Sequence, residues 1–439
     1  MNFTYKQIWL INFPVMMSIL IEQLINITDA IFLGHYGEVE LGAAALAGMY
    51  YLAIYMLGFG FSLGLQVMVG RRNGEGNYNE TGKVFLQGLF FLIVLAGSMF
   101  VMSWLFSPAL LSELITSEEV YEAVIKYLDW RTFGLLFTFP ALAFRAFFVG
   151  ITKTRILTTG AVVMVITNIV LNYLLIFGNF GFPRLGISGA ALASTISELS
   201  FLIVLVVYVC RKIDKRYYGL RPVYDWQLQL RLFKLSVWSM MYSFTAVAPW
   251  FLFFVVIEHL GEEQLAIANI VRSISTVFFV IVCSFSTTTG SLVSNLIGAG
   301  EQNCVRGTIR QHIRIGYIFV LPILIFFCLF PDLILRIYTD MPDLRAASVP
   351  SLWVLCSAYL VLVPANVYFQ SVSGTGNTRT ALAMELCVLA IYVTYSAYFI
   401  MYLRMDVAFA WTTECVYGIF TLMFCYWYMK KGNWQKKKI

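Results

Sequence analysis

The chain has 439 residues, of which 60% are hydrophobic and only 12% are charged, with a formal net charge of +6 at pH 7. Soluble proteins carry roughly 25% charged residues, and no soluble fold has enough interior for so much apolar surface. These values exclude a soluble enzyme, a disordered chain and a nucleic-acid-binding domain. Because a bilayer span takes about 20 apolar residues plus a loop, we expect an all-α integral membrane protein with about twelve spans.

Twelve apolar runs follow one another along the sequence, and each predicts one membrane-spanning helix. The runs cover residues 8–33, 41–70, 84–107, 121–149, 156–178, 186–210, 232–258, 264–297, 306–330, 347–373, 380–403 and 407–429. Several are longer than a span requires, so tilted or kinked helices are expected. The first run exceeds the length of a signal-peptide core and shows no evident cleavage site, so we expect it to remain as helix 1.

The cysteines give no sign of a disulfide framework or a metal cluster. All eight lie at or after Cys210, mostly inside apolar runs, and none forms a CxxC pair. Buried cysteines of this kind behave as small hydrophobic residues. We therefore expect no cofactor and no catalytic site.

Loop charge alternates along the chain. Basic residues such as Arg71 and Lys153 follow even-numbered helices, whereas most of the other loops are acidic, with Glu118 and Glu258 as examples. Positively charged loops stay on the cytoplasmic side of a membrane. We therefore expect a protein of the cell (inner) membrane with both termini in the cytoplasm.

An internal repeat relates the two halves of the chain at an offset of 224 residues. The matched pairs are His35 with His259, Phe61 with Phe285, Gly74 with Gly298, Gly76 with Gly300, Pro140 with Pro364, Gly150 with Gly374, and Arg155 with Arg379. Each copy holds six helices, an even number, so the copies are parallel and related by an axis along the membrane normal. We expect an N-terminal six-helix lobe (1–210), a basic cytoplasmic linker (211–231) and a C-terminal six-helix lobe with a basic tail (232–439), facing each other across a central cleft.

Several short motifs stand out from the apolar background. They are 26–37 (NITDAIFLGHYG), 70–77 (GRRNGEGN), 150–155 (GITKTR), 168–178 (NIVLNYLLIFG) and 186–193 (GISGAALA). Together they resemble the MATE family, the multidrug and toxic compound extrusion transporters, over essentially the whole chain. The resemblance implies twelve helices in two lobes and export of organic, often cationic and aromatic compounds against an inward flow of Na⁺ or H⁺. We expect a monomer whose partners are membrane lipid and small organic substrates, without nucleic acid.

Within that family the sequence resembles the DinF-like branch more than the NorM-like branch. The DinF-like branch carries its coupling-cation site in the first lobe, on a helix-1 aspartate and an Asn-x-x-x-Asp pair of helix 5. Asp29 and Asn168 match this pattern, but Asn172 stands where the second aspartate is expected. An asparagine can ligate Na⁺ but cannot carry a proton. The helix-7 glutamate of the NorM-like branch is replaced here by Ala246.

Five oxygen-bearing side chains on helices 1 and 5 are candidates for cation coupling. They are Glu22, Asn26 and Asp29 on helix 1 and Asn168 and Asn172 on helix 5. An ionisable group at a helix centre in the bilayer costs at least about 2.5–3.5 kcal/mol, which favours a functional role. Oxygen ligands suit Na⁺, for which we expect Asp29, Asn168 and Asn172 to be ligands, and a desolvated carboxylate suits H⁺. Alternatively these groups only bond helices together, with Glu22 paired to Arg145 of helix 4.

Further side chains are candidates for the wall of the substrate cleft. They are the acids Glu198, Glu385 and Glu414 and the aromatic residues Tyr51, Tyr55 and Phe279. Acids attract organic cations, and aromatic faces stack on them. The alternative is that the acids pair within the helix bundle and that the aromatic residues face lipid.

The sequence predicts alternating access, in which cation binding bends or shifts helix 1 near Pro14 and substrate is released outward. A flippase for lipid-linked oligosaccharides is the second hypothesis. It is disfavoured because such proteins carry a strongly basic cavity, whereas intramembrane acids outnumber arginines here. A membrane enzyme is the third, and no HExxH or GxSxG motif supports it.

Overall fold

The computed structural model of the protein describes residues 3–115, 117–249, 253, 256–257, 260–432 and 434–436. Within these residues the chain is helical and contains no strand. Glu258 and His259, which were used above for loop charge and for the repeat, lie outside the described residues. Much of the last part of the predicted seventh helix and the end of the basic tail also lie outside them.

Twelve helices, labelled α1 to α12, carry the described part of the fold. They are α1 (Tyr5–Tyr36), α2 (Glu38–Gly74), α3 (Tyr78–Leu114), α4 (Glu118–Gly150), α5 (Arg155–Leu175), α6 (Ile187–Lys212), α7 (Trp226–Thr245), α8 (Glu262–Gly298), α9 (Val305–Leu329), α10 (Pro342–Gly374), α11 (Thr378–Tyr402) and α12 (Val407–Lys431). A five-residue helix, Pro331–Leu335, precedes α10. Eleven helices of the described chain are long and apolar enough to cross a bilayer. The predicted all-helical membrane fold is confirmed.

Most helices extend beyond the apolar runs that predicted them. The run at 84–107, for example, lies within α3, which spans Tyr78–Leu114 and begins where the Asn77 side chain accepts a hydrogen bond from the Glu80 backbone N–H at 3.3 Å. Apolar length marks only the hydrocarbon core, whereas helical hydrogen bonding continues into the polar interface. For the same reason α7 begins at Trp226 rather than at the predicted residue 232.

The internal repeat extends to the backbone. Helices α2 and α8 both have 37 residues and begin and end at positions that are 224 apart. The residues that follow them, Gly76 and Gly300, both adopt left-handed conformations, with φ of 71° and 77°. Glycine adopts such a conformation without the clash that a side chain would cause.

At one further pair of repeat-related positions, a left-handed conformation is adopted by a threonine in one copy and by a glycine in the other. Thr152, which follows α4, has φ of 60°, and its counterpart Gly376, which follows α10, has φ of 89°. A left-handed conformation costs a residue with a side chain about 1–2 kcal/mol. Thr152→Gly is therefore expected to stabilise the protein by about 1 kcal/mol in thermal or SDS unfolding of the purified protein. The converse change, Gly376→Thr, is expected to destabilise the protein. An unfolding midpoint that equals that of the wild type in both variants would contradict this prediction.

Packing divides the chain into two compact units. The N-terminal unit comprises residues 13–240, and the C-terminal unit comprises the described residues of 1–12 and 241–439. In the N-terminal unit α2 and α3 pack against α4, and α5 packs against α6; in the C-terminal unit α10 packs against α8 and α12. Helix α1 is shared, because its first residues belong to the C-terminal unit, where the Trp9 ring stacks on Phe319 at 4.6 Å. The lobe limits 1–210 and 232–439 stay a prediction of the repeat.

The segment between α6 and α7 packs against α3 within the N-terminal unit. The Gln87 side chain of α3 donates a hydrogen bond to the Val223 carbonyl at 2.7 Å. The Tyr217 ring stacks on Tyr78 at 4.5 Å. The predicted linker is therefore anchored by side-chain contacts with α3.

Candidate functional site

A polar cluster surrounds Asp29 inside the N-terminal unit. The Asp29 carboxylate accepts hydrogen bonds from the Asn172 amide at 2.6 Å and from the Ser194 hydroxyl at 2.8 Å. The Asn172 amide also donates to Asn168 Oδ1 at 3.1 Å, and the Asn168 amide donates to Ser194 Oγ at 3.2 Å. The Thr28 hydroxyl lies 3.5 Å from Asn168 Oδ1. We call these five residues the Asp29 cluster.

Helix geometry explains why these residues meet. Asn168 and Asn172 are one turn apart and lie on the same face of α5, and both side chains are fully buried. That face packs against α6 where small residues bring the helices close together: a Cβ atom at Gly189 would lie only 2.6 Å from the Leu175 carbonyl oxygen of α5. The close approach brings Ser194 of α6 within reach of the two asparagines.

The Asp29 cluster has the chemistry of a site for a hard monovalent cation. Within the part of the chain that the structure describes, the Asp29 carboxylate is bonded by neutral donors and forms no ion pair. The Asn172 Oδ1 atom is buried and has no hydrogen-bond partner there. A buried oxygen without a donor is costly, and a Na⁺ ion or a water molecule would satisfy it. No group of three His, Cys, Asp or Glu side chains suited to a metal occurs among the described residues.

Two of the five predicted coupling residues lie away from this cluster, and the expectation of one five-residue pocket is corrected. Glu22 forms an ion pair with Arg145 and accepts a hydrogen bond from Ser18 at 3.0 Å. Asn26 is exposed and donates to Gln23 at 3.1 Å. Glu22 precedes Asp29 by two helical turns, about 10 Å, which places it level with Arg145 of α4. The structure therefore shows the pair of Glu22 with Arg145, which was the alternative hypothesis from the sequence.

The sequence did not predict Thr28 or Ser194 as members of the cluster. Hydroxyl side chains are common in membrane helices and usually bond to their own backbone, as Thr28 also does with Leu24 O at 2.8 Å. Ser194 lies one residue beyond the motif 186–193. The small residues of that motif could have indicated that a polar residue of α6 lies close to α5, because small residues allow close helix packing.

A second polar network joins α2, α4 and α6. The Arg131 guanidinium makes two hydrogen bonds to the Glu198 carboxylate, at 2.6 and 2.8 Å. The Arg131 Cζ atom lies 3.8 Å from the centre of the Tyr51 ring, and the Tyr51 hydroxyl lies 3.3 and 3.4 Å from the two Glu198 oxygens. We call Arg131, Glu198 and Tyr51 the arginine triad. The expectation that Glu198 is an open cleft carboxylate is corrected, because its charge is neutralised within the unit.

The arginine triad lies beside the Asp29 cluster. Glu198 follows Ser194 by one turn on α6, and the Ser194 hydroxyl bonds the Asp29 carboxylate, so both networks reach the same face of α6. Tyr127, one turn before Arg131 on α4, is buried as well. The arginine triad and the Asp29 cluster are therefore neighbours along α6.

A local break in α4 accommodates the triad. The helix is interrupted after Arg131 by a 3₁₀ turn, Thr132–Gly134, and a Cβ atom at Gly134 would collide with the Glu198 carboxylate and the Arg131 guanidinium. Because these atoms are the ends of flexible side chains that can shift, Gly134→Ala is expected to destabilise the protein by about 1 kcal/mol, the lower end of the cost of overpacking. Unfolding of the purified variant measures the effect.

The matched control is Gly97→Ala in α3. A Cβ atom at Gly97 would meet nothing within 4 Å, so the higher helix propensity of alanine is expected to leave stability unchanged or raised by up to about 1 kcal/mol. Equal effects of the two substitutions would contradict the prediction.

The remaining predicted cleft residues lie in different surroundings. Glu385 of α11 is only 3% exposed and accepts hydrogen bonds from the Tyr417 hydroxyl of α12 at 2.9 and 3.1 Å, so its placement on an open cleft wall is corrected. Glu414 lies one turn before Tyr417 on α12 and is half-buried. Phe279 is 48% exposed, and Tyr55 stacks on Phe59 at 6.0 Å.

These features define a class: a polytopic helical membrane protein with a buried oxygen cluster inside one of its two units. The MatE family model matches residues 14–174 and 240–398, more than half of the chain. The chain belongs to the MatE family, and the predicted resemblance is confirmed. Members of this family are transporters rather than enzymes.

Curated relatives match nearly the full chain. A probable multidrug resistance protein NorM of Thermotoga maritima is 23% identical over 443 residues, which cover 99% of this chain and 94% of the relative. Another of the same name, from Agrobacterium fabrum, is 26% identical over 422 residues, which cover 93% of this chain and 86% of the relative. The name NorM weighs mildly against the predicted DinF-like branch.

Solved structures show the same fold. An outward-facing multidrug resistance MATE family transporter of the MOP superfamily aligns with a TM-score of 0.89 at 18% identity, covering 99% of this chain and 97% of the other. A MOP superfamily transporter from Pyrococcus furiosus aligns with a TM-score of 0.88 at 18% identity, with coverage of 99% and 97%. These alignments establish the fold of the chain.

Proposed function

We propose that this protein exports organic, often cationic and aromatic compounds across the inner membrane by antiport with Na⁺ or H⁺. The Asp29 cluster is the observation that carries the proposal, because it holds a carboxylate of a long apolar helix among neutral donors and beside an unpaired amide oxygen. The curated relatives named as multidrug resistance proteins support the substrate class. Both termini are proposed to lie in the cytoplasm, and the transporter is proposed to act as a monomer.

The coupling ion is proposed to bind in the N-terminal unit, as the DinF-like resemblance implies. Na⁺ would be held by oxygens of Asp29, Asn168 and Asn172, and a proton would reside on Asp29. One charge that crosses a potential of 100 mV supplies about 2.3 kcal/mol. Because about 1.4 kcal/mol corresponds to a tenfold concentration ratio, one ion sustains a roughly fiftyfold ratio of substrate concentration across the membrane. A single cation per substrate is therefore adequate for export.

Movement of α1 near Pro14 is proposed to link ion binding to the exit route. Proline has no backbone N–H, so the helical hydrogen bond that would end at residue 14 is missing and the helix bends more readily there. The boundary between the two units falls between Asn12 and Phe13, next to this proline. The Pro14 carbonyl accepts a hydrogen bond from Thr158 of α5 at 2.9 Å, which anchors the part of α1 that leads to Asp29.

A flippase function is not favoured. Arg131 and Arg145, two arginines of α4 in the N-terminal unit, are both paired with glutamates. They therefore do not form the basic cavity that a pyrophosphate group requires.

Efflux from vesicles tests the proposed function. Purified protein is reconstituted into liposomes, and movement of ethidium is followed while a Na⁺ gradient or a pH gradient is imposed separately. We expect one of the two gradients to drive movement of the dye across the membrane against the concentration gradient of the dye. Equal dye movement in protein-free liposomes, or no response to either gradient, would overturn the proposal.

A further inference from the structure

The chain forms a tight turn at the end of α6, and we call residues 211–221 the basic turn. Its exposed cationic side chains are Arg211, Lys212, Lys215, Arg216 and Arg221. The Tyr218 N–H donates to the Asp214 carbonyl at 3.1 Å, and the Leu220 N–H donates to the Lys215 carbonyl at 2.9 Å, which closes the turn. Within the described chain none of the five basic side chains forms an ion pair or a hydrogen bond. The turn therefore presents positive charge that the protein itself does not neutralise.

The two aspartates of this region bond to the backbone. Asp214 Oδ1 accepts hydrogen bonds from the backbone N–H groups of Arg216 at 2.9 Å and Tyr217 at 3.1 Å. Asp225 Oδ1 accepts from the Leu228 N–H at 3.0 Å, at the start of α7. Carboxylates in such positions order a turn or cap a helix. They fix the shape of the segment and leave its basic side chains unpaired.

Close contacts hold the basic turn on α3. Gly219 has φ of 57°, and a Cβ atom there would lie 2.5 Å from the Asn79 side-chain oxygen of α3. A Cβ atom at Gly82 of α3 would lie only 1.7 Å from the Tyr218 carbonyl oxygen. Basic residues in a loop can orient a membrane protein without any fixed conformation. Membrane topology therefore explains the charge of the turn but not its ordered packing.

The basic turn lies at the level of the phospholipid head groups. The Tyr217 ring stacks on Tyr78 of α3 at 4.5 Å. Tyr78 precedes Val84, the first residue of the apolar run 84–107, by six residues, which is about 9 Å along a helix. The head-group layer on each side of the hydrocarbon core is about 5–8 Å thick. The turn is thus placed where the phosphate groups of the lipids are found.

Two exposed aromatic residues follow the basic turn and mark the edge of the hydrocarbon. Tyr224 and Trp226 are 52% and 64% exposed. The Tyr224 ring contacts Phe90, which lies inside the apolar run 84–107, at 5.1 Å. Tyrosine and tryptophan are enriched at the boundary between membrane and water. The segment therefore runs from the head-group level at the basic turn to the hydrocarbon edge at the start of α7.

We propose that the basic turn binds the phosphate groups of anionic phospholipids. Lysine and arginine side chains beside a membrane surface attract anionic lipid, and a guanidinium can bond a phosphate through two parallel hydrogen bonds. The bound lipid would neutralise the charge that Asp214 and Asp225 leave unpaired. This surface is separate from the Asp29 cluster, and the inference goes beyond the proposed export because it involves neither the coupling ion nor the organic substrate.

Lipid binding to the purified full-length protein tests the proposal. The protein in a neutral detergent is titrated with dioleoyl phosphatidylglycerol, and bound lipid is counted by native mass spectrometry. Lys212→Gln/Lys215→Gln/Arg216→Gln is expected to weaken the tightest binding at least about tenfold, because each base near a membrane surface contributes about fivefold. Binding equal to that of the wild type would overturn the proposal.

The matched control removes the same charge from the C-terminal unit. Arg310→Gln/Lys430→Gln/Lys431→Gln changes three other exposed basic residues. The affinity of this variant for phosphatidylglycerol is expected to match that of the wild type. An equal loss in both triple variants would show that only the net charge matters, and would overturn the specific role of the basic turn.

Three further ligands separate an anionic lipid from other partners. Phosphatidylcholine with the same acyl chains is expected to bind the wild type more weakly than phosphatidylglycerol does, and equal binding would overturn the proposal. Inorganic phosphate and a short single-stranded DNA are expected not to displace phosphatidylglycerol. Displacement by either would assign the basic turn to a free anion or to nucleic acid instead.

A milder variant and a salt titration keep the test decisive if the triple variant of the turn does not insert into the membrane. Lys215→Gln leaves four bases in place and is expected to weaken phosphatidylglycerol binding about fivefold. Raising ammonium acetate from about 0.1 to 1 M shortens the Debye length from about 10 to 3 Å, so binding to the wild type is expected to weaken. Unchanged binding in both measurements would contradict the proposal. Because no gradient is used, failure of the lipid site leaves the proposed antiport intact, and absence of gradient-driven efflux leaves the lipid site intact.

Discussion

Asp29→Asn is expected to slow gradient-driven export of ethidium from reconstituted liposomes roughly a hundredfold. The substitution keeps the size of the side chain and an oxygen that can accept from the Asn172 amide, which now lies 2.6 Å from the carboxylate. It removes the negative charge that attracts Na⁺ and the group that can carry a proton. Loss of one partner of a desolvated charged contact costs about 2–5 kcal/mol, and about 2.7 kcal/mol corresponds to a hundredfold.

The control for this experiment is an acid on the surface of the same unit. Glu122→Gln removes a carboxylate that pairs with Lys126 at 3.2 Å, and both side chains of that pair are more than 60% exposed, at 62% and 61%. Exposed pairs contribute little, so export by this variant is expected to match the wild type. Export at the wild-type rate by Asp29→Asn would exclude the Asp29 cluster as the coupling site.

Arg145→Gln is expected to lower the free energy of unfolding by about 3 kcal/mol. The variant leaves the Glu22 carboxylate without its ion-pair partner, and the Glu22 side chain is only 25% exposed. Breaking a buried ion pair by removal of one partner typically costs 3–5 kcal/mol, and the partial exposure of this pair favours the lower end. Unfolding by SDS titration in mixed micelles, followed by circular dichroism, measures the change.

The double variant Glu22→Gln/Arg145→Gln distinguishes pairing from packing. It removes both charges and leaves no uncompensated carboxylate, so we expect a loss of only about 1 kcal/mol. Equal destabilisation by the single and double variants would show that the Arg145 side chain stabilises the unit through packing. The ion pair would then not explain why Glu22 lies outside the Asp29 cluster.

The helical architecture was predictable because it depends on one-dimensional properties of the chain. The length of an apolar run decides whether a helix can span a bilayer, and a backbone hydrogen-bonds within its own helix. The offset of 224 residues likewise placed the ends of α2 and α8 at equivalent positions. The exact helix ends were less predictable, since Asn77 and other polar residues continue helices beyond the apolar runs.

The core of the candidate site was also predictable from local spacing. Asn168 and Asn172 are neighbours on any helix, and Asp29 was recognised by the motif that contains it. Spacing along the helix did not predict the partner of Glu22. Residues on one face of a helix meet different neighbouring helices at different depths, so a shared face does not place two residues in the same pocket. Glu22 lies level with Arg145, two turns away from the position at which Asp29 meets α5 and α6.

Composition, the lengths of the apolar runs and the internal repeat were thus sufficient to predict a duplicated helical membrane protein. The resemblance of its short motifs was sufficient to predict the MATE family and a polar residue set on helices 1 and 5. Those properties belong to single helices and follow from the insolubility of charge in hydrocarbon. The partners of each buried charge came from contacts between helices that are far apart in the chain: Ser194 completed the Asp29 cluster, and Arg131 joined Glu198. Such contacts depend on the rotation and depth of each packed helix, because a difference of one turn changes which side chains meet.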